Sequence, residues 1–171
     1  ARSLGISMIN QELNFVPEMT VGENFFVGNW PTNRYGRVSW REIRKRAKQL
    51  LEEENLNYDL DTKLKDLSIS DIQLLEITKA TAYHADIIIM DEPTSAISDK
   101  EAAILFEKID SLRRLGKSII YISHKLDEIF EIADEITVLR DGKVVATKPK
   151  TDLDKNTVIS LMVGRELSEN F

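Results

Sequence analysis

One short run of the sequence limits what this chain can fold into. Residues 87–90 are Ile-Ile-Ile-Met, bounded by Asp86 on one side and by Asp91 and Glu92 on the other. A continuous apolar run of this length predicts a β-strand that is covered on both faces, as the strands of parallel sheets are. Acidic residues at the end of such a strand are costly to bury unless they are paired or bind a metal ion. The run therefore predicts both an α/β sheet and a polar site at its edge.

Alternating helix and strand signals follow this run. Ser98 and Glu101 have capping-box spacing before a predicted helix at 99–115, which Gly116 ends. The elements predicted after it alternate: a strand at 118–122, a helix at 125–133, a strand at 135–140, the turn signal Asp141-Gly142, a strand at 143–148 and a helix at about 154–163. Strands that alternate with helices over 86–140 predict a parallel sheet with right-handed crossovers.

Residues 20–83 carry helix signals and little strand signal, which predicts a helical subdomain set into an α/β core. Two helices are predicted there, and each has a pair of residues at capping-box spacing near its start. For the helix at 39–56 the pair is Ser39 and Glu42, and for the helix at 70–83 it is Ser70 and Gln73. The second helix is entered through Ser68 or Ser70. Before this region, a short buried strand is predicted at 4–11.

Composition excludes several classes of site. The chain has no cysteine, which removes thiol catalysis and cysteine-based metal centres. Its formal net charge is −6, which argues against binding of DNA or RNA, since that needs clustered positive surface. No apolar run approaches the roughly 20 residues of a membrane-spanning helix, and no signal-peptide pattern opens the chain. We therefore expect a cytoplasmic protein.

Four polar residues fall at the predicted ends of strands, where ligands gather in open α/β folds. They are Gln11, Asp91, Glu92 and His124. Asp91 could bind Mg²⁺ through water, and Glu92 could act as the general base on an attacking water molecule. The alternative is that the two acids cap a helix or form salt bridges. For His124 the alternative is a histidine that is simply hydrogen-bonded at a strand end, and Gln11 alone indicates little.

Taken together, the motifs resemble those of ATP-binding-cassette (ABC) ATPases. Residues 86–96, DIIIMDEPTSA, resemble the Walker B strand and the start of the D-loop, and Tyr121–His124 resembles the switch-histidine strand. Gln11 is similar to the Q-loop glutamine, and residues 67–73, LSISDIQ, stand where the LSGGQ signature is expected. Each motif alone is weak, but the four occur in the family's order and spacing. The resemblance covers essentially the whole chain.

The resemblance can be narrowed within that family. Residues 10–28 and 160–167 resemble the N-terminal cassette of the double-cassette ATPases that energise bacterial monosaccharide importers of the ribose, galactose, xylose and arabinose type. This implies a subunit that couples ATP hydrolysis to monosaccharide uptake, peripheral on the cytoplasmic face of the membrane. Its implied partners are membrane permease subunits, a second cassette in the same parent chain and, indirectly, a sugar-binding protein, with no nucleic acid.

The resemblance also implies a fold. The fold class is α/β, a partial P-loop NTPase-like (ABC ATPase) core with a parallel sheet plus a helical subdomain. Residues 1–19 would hold a core strand and the Q-loop, residues 20–83 the helical subdomain with the signature, and residues 84–171 the ATPase core with Walker B, D-loop and switch histidine.

The implied cofactors are ATP and Mg²⁺. Glu92 and His124 would be catalytic, with His124 stabilising charge on the γ-phosphate. Asp91 and Gln11 would hold Mg²⁺ through water, and Ser68 would reach the ATP of the partner cassette. The residues implied to contact nucleotide or metal are Gln11, Ser68, Ser70, Gln73 and Asp91. Apolar residues around 15–30 are implied to contact the permease, the alternative for Phe25 and Phe26 being the core of the helical subdomain.

Departures from the family pattern bear on function. No G-x-x-x-x-G-K-[ST] phosphate-binding loop (Walker A) occurs, and Gly116-Lys117-Ser118 is only a superficial match because it precedes a strand. The chain therefore resembles a fragment of a longer protein, and we expect it to bind ATP weakly or not at all by itself. Ser70 stands where the signature usually has glycine, so the ATP site that it completes is expected to be weaker. Ser98 stands where the D-loop usually has aspartate.

Two alternative functions remain. ABC cassettes also occur in translation factors and in DNA-repair and chromosome-organising ATPases, but those usually carry coiled-coil inserts or basic arms, which are not seen here. The other alternative is a catalytically degenerate cassette that acts as a regulatory or dimerisation module. Glu92 and His124 argue against it, while Ser70 and the missing phosphate-binding loop keep it open.

Overall fold

The computed structural model describes residues 4–10, 15–82 and 85–164. The chain forms two compact units, which we describe separately, and passes from one to the other between Ile122 and Ser123. Within the described ranges, no helix combines the length and the apolar character that crossing a bilayer requires.

A three-stranded parallel sheet lies in the first unit. Strand β1 (Ile6–Ile9) and strand β3 (Ser118–Ile122) flank the central strand β2 (Ile87–Asp91). The apolar run that predicts β2 explains its central place, because Ile88 and Met90 are almost completely buried, with 1% and 0% exposure. The predicted strand and the predicted parallel sheet are confirmed, with the first strand shorter than the predicted range.

Helix α4 (Asp99–Arg114) crosses from β2 to β3 and begins at the predicted N-cap. The carboxylate of Glu101 accepts hydrogen bonds from the Ser98 backbone N–H at 2.8 Å and from the Ser98 hydroxyl at 2.7 Å. The helix ends before Gly116, whose φ of 79° lies in the left-handed region that glycine adopts without strain. The predicted start and stop of this helix are both confirmed.

Within the described part of the first unit, the α-helices that precede β2 are α1 (Val21–Asn24), α2 (Trp40–Glu53) and α3 (Ile69–Ala82), and a short 3-10 helix at Leu64–Asp66 lies between α2 and α3. They share an apolar cluster whose buried members are Val21, Phe25, Phe26, Ile43, Ala47, Leu51, Leu64 and Leu75. Phe25 and Phe26 therefore belong to the core, as the alternative in the sequence analysis has it, and the permease contact predicted around 15–30 does not include them.

Ser39 caps α2 as predicted, but only half of the capping box forms. The Ser39 hydroxyl accepts a hydrogen bond from the Glu42 backbone N–H at 3.4 Å. The Glu42 carboxylate does not return this contact, because it accepts from Arg46, one turn further along the helix, at 2.8 Å.

The second unit contains helix α5 (Leu126–Ile132), the antiparallel strands β4 (Glu135–Arg140) and β5 (Lys143–Pro149), and helix α6 (Lys155–Val163). The sequence pattern over 86–140 predicts β4 as a further strand of the parallel sheet, and this is wrong: β4 pairs with β5 in a separate two-stranded sheet. Alternation of strands and helices along the chain does not itself specify which strands pair. Asp141 and Gly142 both have positive φ, 52° and 73°, which closes the predicted two-residue hairpin.

Candidate functional site

Asp91 and Glu92 stand at the carboxyl end of the central strand. Asp91 is the last residue of β2 and pairs with Ile122 of β3. Glu92 follows with φ of 47°, in the left-handed region that a residue with a Cβ adopts at a cost. Its backbone N–H donates to the Ile122 carbonyl at 2.9 Å, and its carbonyl accepts from the Ser95 N–H at 3.1 Å. Backbone strain held in place on both sides is typical of functional sites.

Gln73 lies beside this turn. It is on α3, it is 6% exposed, and its side-chain amide donates a hydrogen bond to the backbone carbonyl of Pro93. Pro93 and Thr94 are themselves buried. The segment that follows Glu92 is therefore fastened to α3 through a buried polar contact. The resemblance assigns Gln73 to nucleotide binding, but here its side-chain amide donates to Pro93.

Ser68 caps the start of α3. Its hydroxyl accepts from the Asp71 backbone N–H at 3.1 Å and donates to Asp71 Oδ2 at 2.6 Å, and its own backbone N–H donates to Oδ2 at 3.3 Å. The capping box predicted for Ser70 and Gln73 is therefore wrong, while Ser68, the other predicted entry to this helix, is confirmed: Ser68 and Asp71 form the box, and Gln73 donates to Pro93. Counted from Leu67, Asp71 is the fifth residue of the signature segment.

The carboxylate of Asp71 has a second donor. The Tyr58 hydroxyl donates to Asp71 Oδ1 at 2.7 Å. Burial pushes the pKa of the Asp71 carboxyl upward, but the hydrogen bonds from Ser68 and Tyr58 outweigh it, so the pKa lies below its usual value. A carboxylate held in its charged form beside Ser68 disfavours an anion there, and Ser68 must release Asp71 before its single proton can be donated to a phosphate.

Ser70 is the second residue of α3. Its hydroxyl is 2.9 Å from the Ser68 hydroxyl. Glu101 accepts from Ser98 as well. The hydroxyl of Ser70, followed by the two donors of Ser98, lowers the pKa of Glu101 to about 2.

His124 belongs to the second unit, two residues beyond the end of β3. It is exposed, and its neighbours form a small network in which the Lys125 backbone N–H donates to Ser123 Oγ at 3.0 Å and that hydroxyl donates to Glu128 at 3.4 Å. Its catalytic role remains a prediction. Gln11 lies outside the described residues, so its role at the Mg²⁺ site also stays a prediction.

Over the ranges that the structure describes, no group of three or more His, Cys, Asp or Glu residues is arranged to hold a metal ion. Magnesium in phosphate-transfer sites is commonly held by one or two carboxylates together with the phosphates of the substrate. Asp91 supplies one carboxylate at a strand end, which suits a Mg²⁺ ion that binds together with a nucleotide.

Sequence reasoning missed Tyr58, Asp71 and Glu101 as neighbours of the signature serines. A signal was present for Asp71, because it follows Ser68 at the three-residue spacing of a capping box. No comparable signal links Ser70 to Glu101, since the two residues belong to different helices and lie far apart in the sequence.

Comparison with known proteins gives a family and a set of relatives. The family model described as ABC transporter matches residues 1–95. A "Putative ribose/galactose/methyl galactoside import ATP-binding protein" of Geobacillus kaustophilus is 51% identical over 168 residues, which cover 98% of this chain and 33% of that protein. Proteins with corresponding names in Halalkalibacterium halodurans and Burkholderia cenocepacia are 48% and 46% identical, over 98% of this chain and 32% of each protein. The chain thus spans about a third of the length of these curated relatives.

Solved structures agree with the fold. A nucleotide-free ATP-binding cassette from an ABC transporter superposes with a TM-score of 0.76 at 24% identity, covering 94% of this chain and 69% of that one. A dimeric ATP-binding cassette in a post-hydrolysis state, bound to ADP and Pi, has a TM-score of 0.68 at 26% identity, covering 85% of this chain and 62% of that one. The Walker B and signature segments, an α/β fold shared with these cassettes and a family match over more than half of the chain make this protein a member of the ABC transporter family.

Proposed function

We propose that the intact protein is the ATP-hydrolysing subunit of an ABC importer that couples ATP hydrolysis to monosaccharide uptake across the cytoplasmic membrane. One structural observation carries the hydrolytic part: Asp91 ends the central strand and Glu92 follows it in a sharp, strained turn. The sugar is supported by the names of the relatives, which are ribose, galactose and methyl galactoside import ATP-binding proteins.

The two carboxylates have separate tasks in this proposal. Asp91 holds Mg²⁺ through water when nucleotide binds, and the ion neutralises phosphate charge. Glu92 accepts a proton from the attacking water molecule, for which its place immediately beyond the strand end is suited. His124 contacts the γ-phosphate and stabilises the charge that develops there. Gln11 contributes to the Mg²⁺ site through water.

Ser68, Ser70 and Gln73 belong to the half-site that this cassette offers to the nucleotide of a second cassette. The positive end of the α3 helix dipole favours a negatively charged ligand, and Ser68 can donate to that ligand once it has released Asp71. Because the phosphate-binding loop is not among the 171 residues, we propose that these residues by themselves bind ATP weakly or not at all.

The partners proposed are the permease subunits, a second cassette and, indirectly, a sugar-binding protein, with the subunit peripheral on the cytoplasmic face of the membrane. A permease contact is supported by apolar side chains that stay exposed on the helical region and just before it. Trp40 is 57% exposed and packs edge-on against Trp30, with ring centroids 6.1 Å apart, and Val16 is 39% exposed. These three residues replace Phe25 and Phe26 as candidates for the contact.

The division into functional parts is proposed as the resemblance gives it. Residues 1–19 carry a core strand and the Q-loop, residues 20–83 the helical subdomain and residues 84–171 the remaining ATPase core. The helical part is supported by the apolar cluster shared by α1, α2 and α3.

ATP hydrolysis by the intact parent protein tests this proposal. Glu92→Gln keeps the side-chain shape but removes the base, and we expect it to lower kcat by about 10²–10⁴-fold. The matched control is Glu107→Gln, the same change at an exposed position of α4, which should leave kcat within about twofold of wild type. Equal activity of wild type and Glu92→Gln would reject hydrolysis by Glu92 and favour a degenerate cassette that acts as a regulatory or dimerisation module.

A further inference from the structure

Positive charge is concentrated in one short segment of this acidic chain. Residues 34–48 contain seven Lys or Arg residues and one acid, Glu42, so the segment has a formal net charge of +6 in a chain whose total is −6. It comprises the end of the loop before α2 and the first part of α2 itself. Basic clusters of this size on a helix are typical of surfaces that bind anionic lipid headgroups.

Ion pairs neutralise some of these cations and leave others available. The neutralised ones, each with its partner, are Arg44 with Asp61, Arg46 with Glu42, and Lys48 with Glu52. The other four are exposed and form no ion pair within the described residues: Arg34, Arg37, Arg41 and Lys45. Arg41 and Lys45 are four residues apart, so they lie on one face of α2. These four charges are therefore available to a partner outside the cassette.

The loop that presents Arg34 and Arg37 is ordered by its own hydrogen bonds. Asn33 Oδ1 accepts from the backbone N–H of Tyr35 at 2.9 Å and from that of Arg37 at 3.1 Å. The Asn33 N–H donates to the Arg37 carbonyl at 2.8 Å, and the Asn33 carbonyl accepts from the Gly36 N–H at 2.9 Å. A loop that is ordered in advance loses little conformational entropy when a partner binds.

An aromatic and an aliphatic side chain are exposed among the cations of this loop. Tyr35 is 70% exposed and Val38 is 38% exposed. The Arg34 guanidinium lies over the Tyr35 ring, 4.6 Å from its centroid, and donates to the Tyr35 hydroxyl. A tyrosine, with an apolar ring and a polar hydroxyl, suits the boundary between lipid headgroups and acyl chains. Cations alone would fit any polyanion, whereas cations with an exposed tyrosine favour a bilayer surface.

The place of this surface in the proposed complex also favours a bilayer. Trp40, a candidate for the permease contact, stands between Arg37 and Arg41 in the chain and begins α2. Because a permease lies in the membrane, a surface that adjoins the permease contact is near the lipid headgroups. This step rests on the proposed function.

We propose that Arg34, Tyr35, Arg37, Arg41 and Lys45 form a surface that binds the anionic phospholipid headgroups of the membrane beside the permease. The four cations donate hydrogen bonds to lipid phosphates, and Tyr35 enters the headgroup region. The contact is made to lipid and adds to the permease contact. Two weak contacts on one body bind more tightly together than either does alone.

Protein-free vesicles test this binding separately from transport. The intact protein is mixed with vesicles of phosphatidylcholine that contain phosphatidylglycerol, and bound protein is measured by flotation, with vesicles of phosphatidylcholine alone as the reference. Wild type should bind the anionic vesicles only, and less as salt is added. The triple variant Arg37→Gln, Arg41→Gln, Lys45→Gln should bind about 100-fold more weakly, since each cation near such a surface contributes about fivefold. Tyr35→Ser leaves the charge unchanged and should also bind more weakly.

The matched control removes the same charge elsewhere. Lys100, Lys143 and Lys148 are exposed, and their triple change to glutamine should leave vesicle binding within about threefold of wild type. Thermal unfolding of each variant controls for folding. Equal losses in the two triple variants would show that net charge alone drives binding, and would overturn the inference. Wild-type binding by Tyr35→Ser would overturn the insertion of Tyr35.

The remaining failures are also distinct. Equal binding to neutral vesicles, or no binding to either kind, would overturn the inference. Binding of a DNA or RNA oligonucleotide in place of vesicles, lost in the triple variant of residues 37, 41 and 45, would assign the surface to nucleic acid and overturn it as well. The vesicles contain no permease and the assay needs no ATP, so these outcomes do not depend on hydrolysis. The Glu92→Gln comparison tests the proposed function by itself.

Discussion

The side-chain amide of Gln73 donates to the backbone carbonyl of Pro93, across 20 positions of sequence. Gln73 lies on the signature helix α3, and Pro93 comes directly after Glu92. The contact is buried, so neither partner can exchange it for a hydrogen bond to bulk water. It makes the position of the Walker B turn depend on the position of α3.

Removing this contact should destabilise the protein. Gln73→Ala leaves the Pro93 carbonyl buried without that donor, and we expect the free energy of unfolding to fall by about 1–3 kcal/mol in urea denaturation. Gln73→Glu keeps the size but places a carboxylate against a carbonyl, so it should cost at least as much. Gln49→Ala removes an exposed amide from α2 and serves as the control. A loss for Gln73→Ala no larger than that for Gln49→Ala would contradict the prediction.

The contribution of Glu101 to stability should depend on pH. Its folded-state pKa is about 2 and its ordinary value 4.5, with the Ser70 hydroxyl as the main cause. The stabilisation is present above the unfolded-state value and is lost as pH falls towards 2, because the carboxylate must then be protonated. The difference in unfolding free energy between wild type and Glu101→Gln should therefore be largest above about pH 5 and shrink at about pH 3, as measured by urea denaturation. A difference that does not change with pH would exclude this hydrogen-bonded carboxylate.

Gly116 should be sensitive to substitution for conformational reasons alone. Its φ is 79°, and a Cβ built there meets nothing within 4 Å, so the cost of a side chain is backbone strain without a clash. Gly116→Ala should lower the free energy of unfolding by about 1–2 kcal/mol. Gly116→Asn should cost less, because asparagine tolerates the left-handed region better. Equal losses for the two variants, measured by thermal unfolding, would show that conformation is not the cause.

Burial should separate two isoleucines of the first unit. Ile88 on β2 is 1% exposed and Ile104 on α4 is 51% exposed. Ile88→Ala removes buried methyl groups and leaves a cavity, so it should cost about 2–5 kcal/mol of unfolding free energy. Ile104→Ala should change stability by less than about 0.5 kcal/mol, since alanine also favours the helix. Similar losses in chemical denaturation would argue against β2 as the buried central strand.

Local sequence signals predict local structure well in this protein. The Ser98–Glu101 capping box, the stop at Gly116 and the Asp141-Gly142 hairpin are all confirmed, because each depends on residues within a few positions of one another. The strand at 118–122 is confirmed at its predicted bounds. The capping box predicted for Ser70 and Gln73 is wrong because Ser68 with Asp71 has the same three-residue spacing, and Gln73 finds its partner at Pro93 instead.

The sequence alone determined that the chain has a buried strand ending in two carboxylates, since a run of apolar residues between acids has few other stable arrangements. Tertiary structure alone decided that the parallel sheet holds β1, β2 and β3 while β4 pairs with β5, and that Gln73 meets Pro93. The physical reason is separation along the chain. Hydrogen bonds between residues 20 or more positions apart form only after helices and strands have packed, and no periodicity within a single element specifies them.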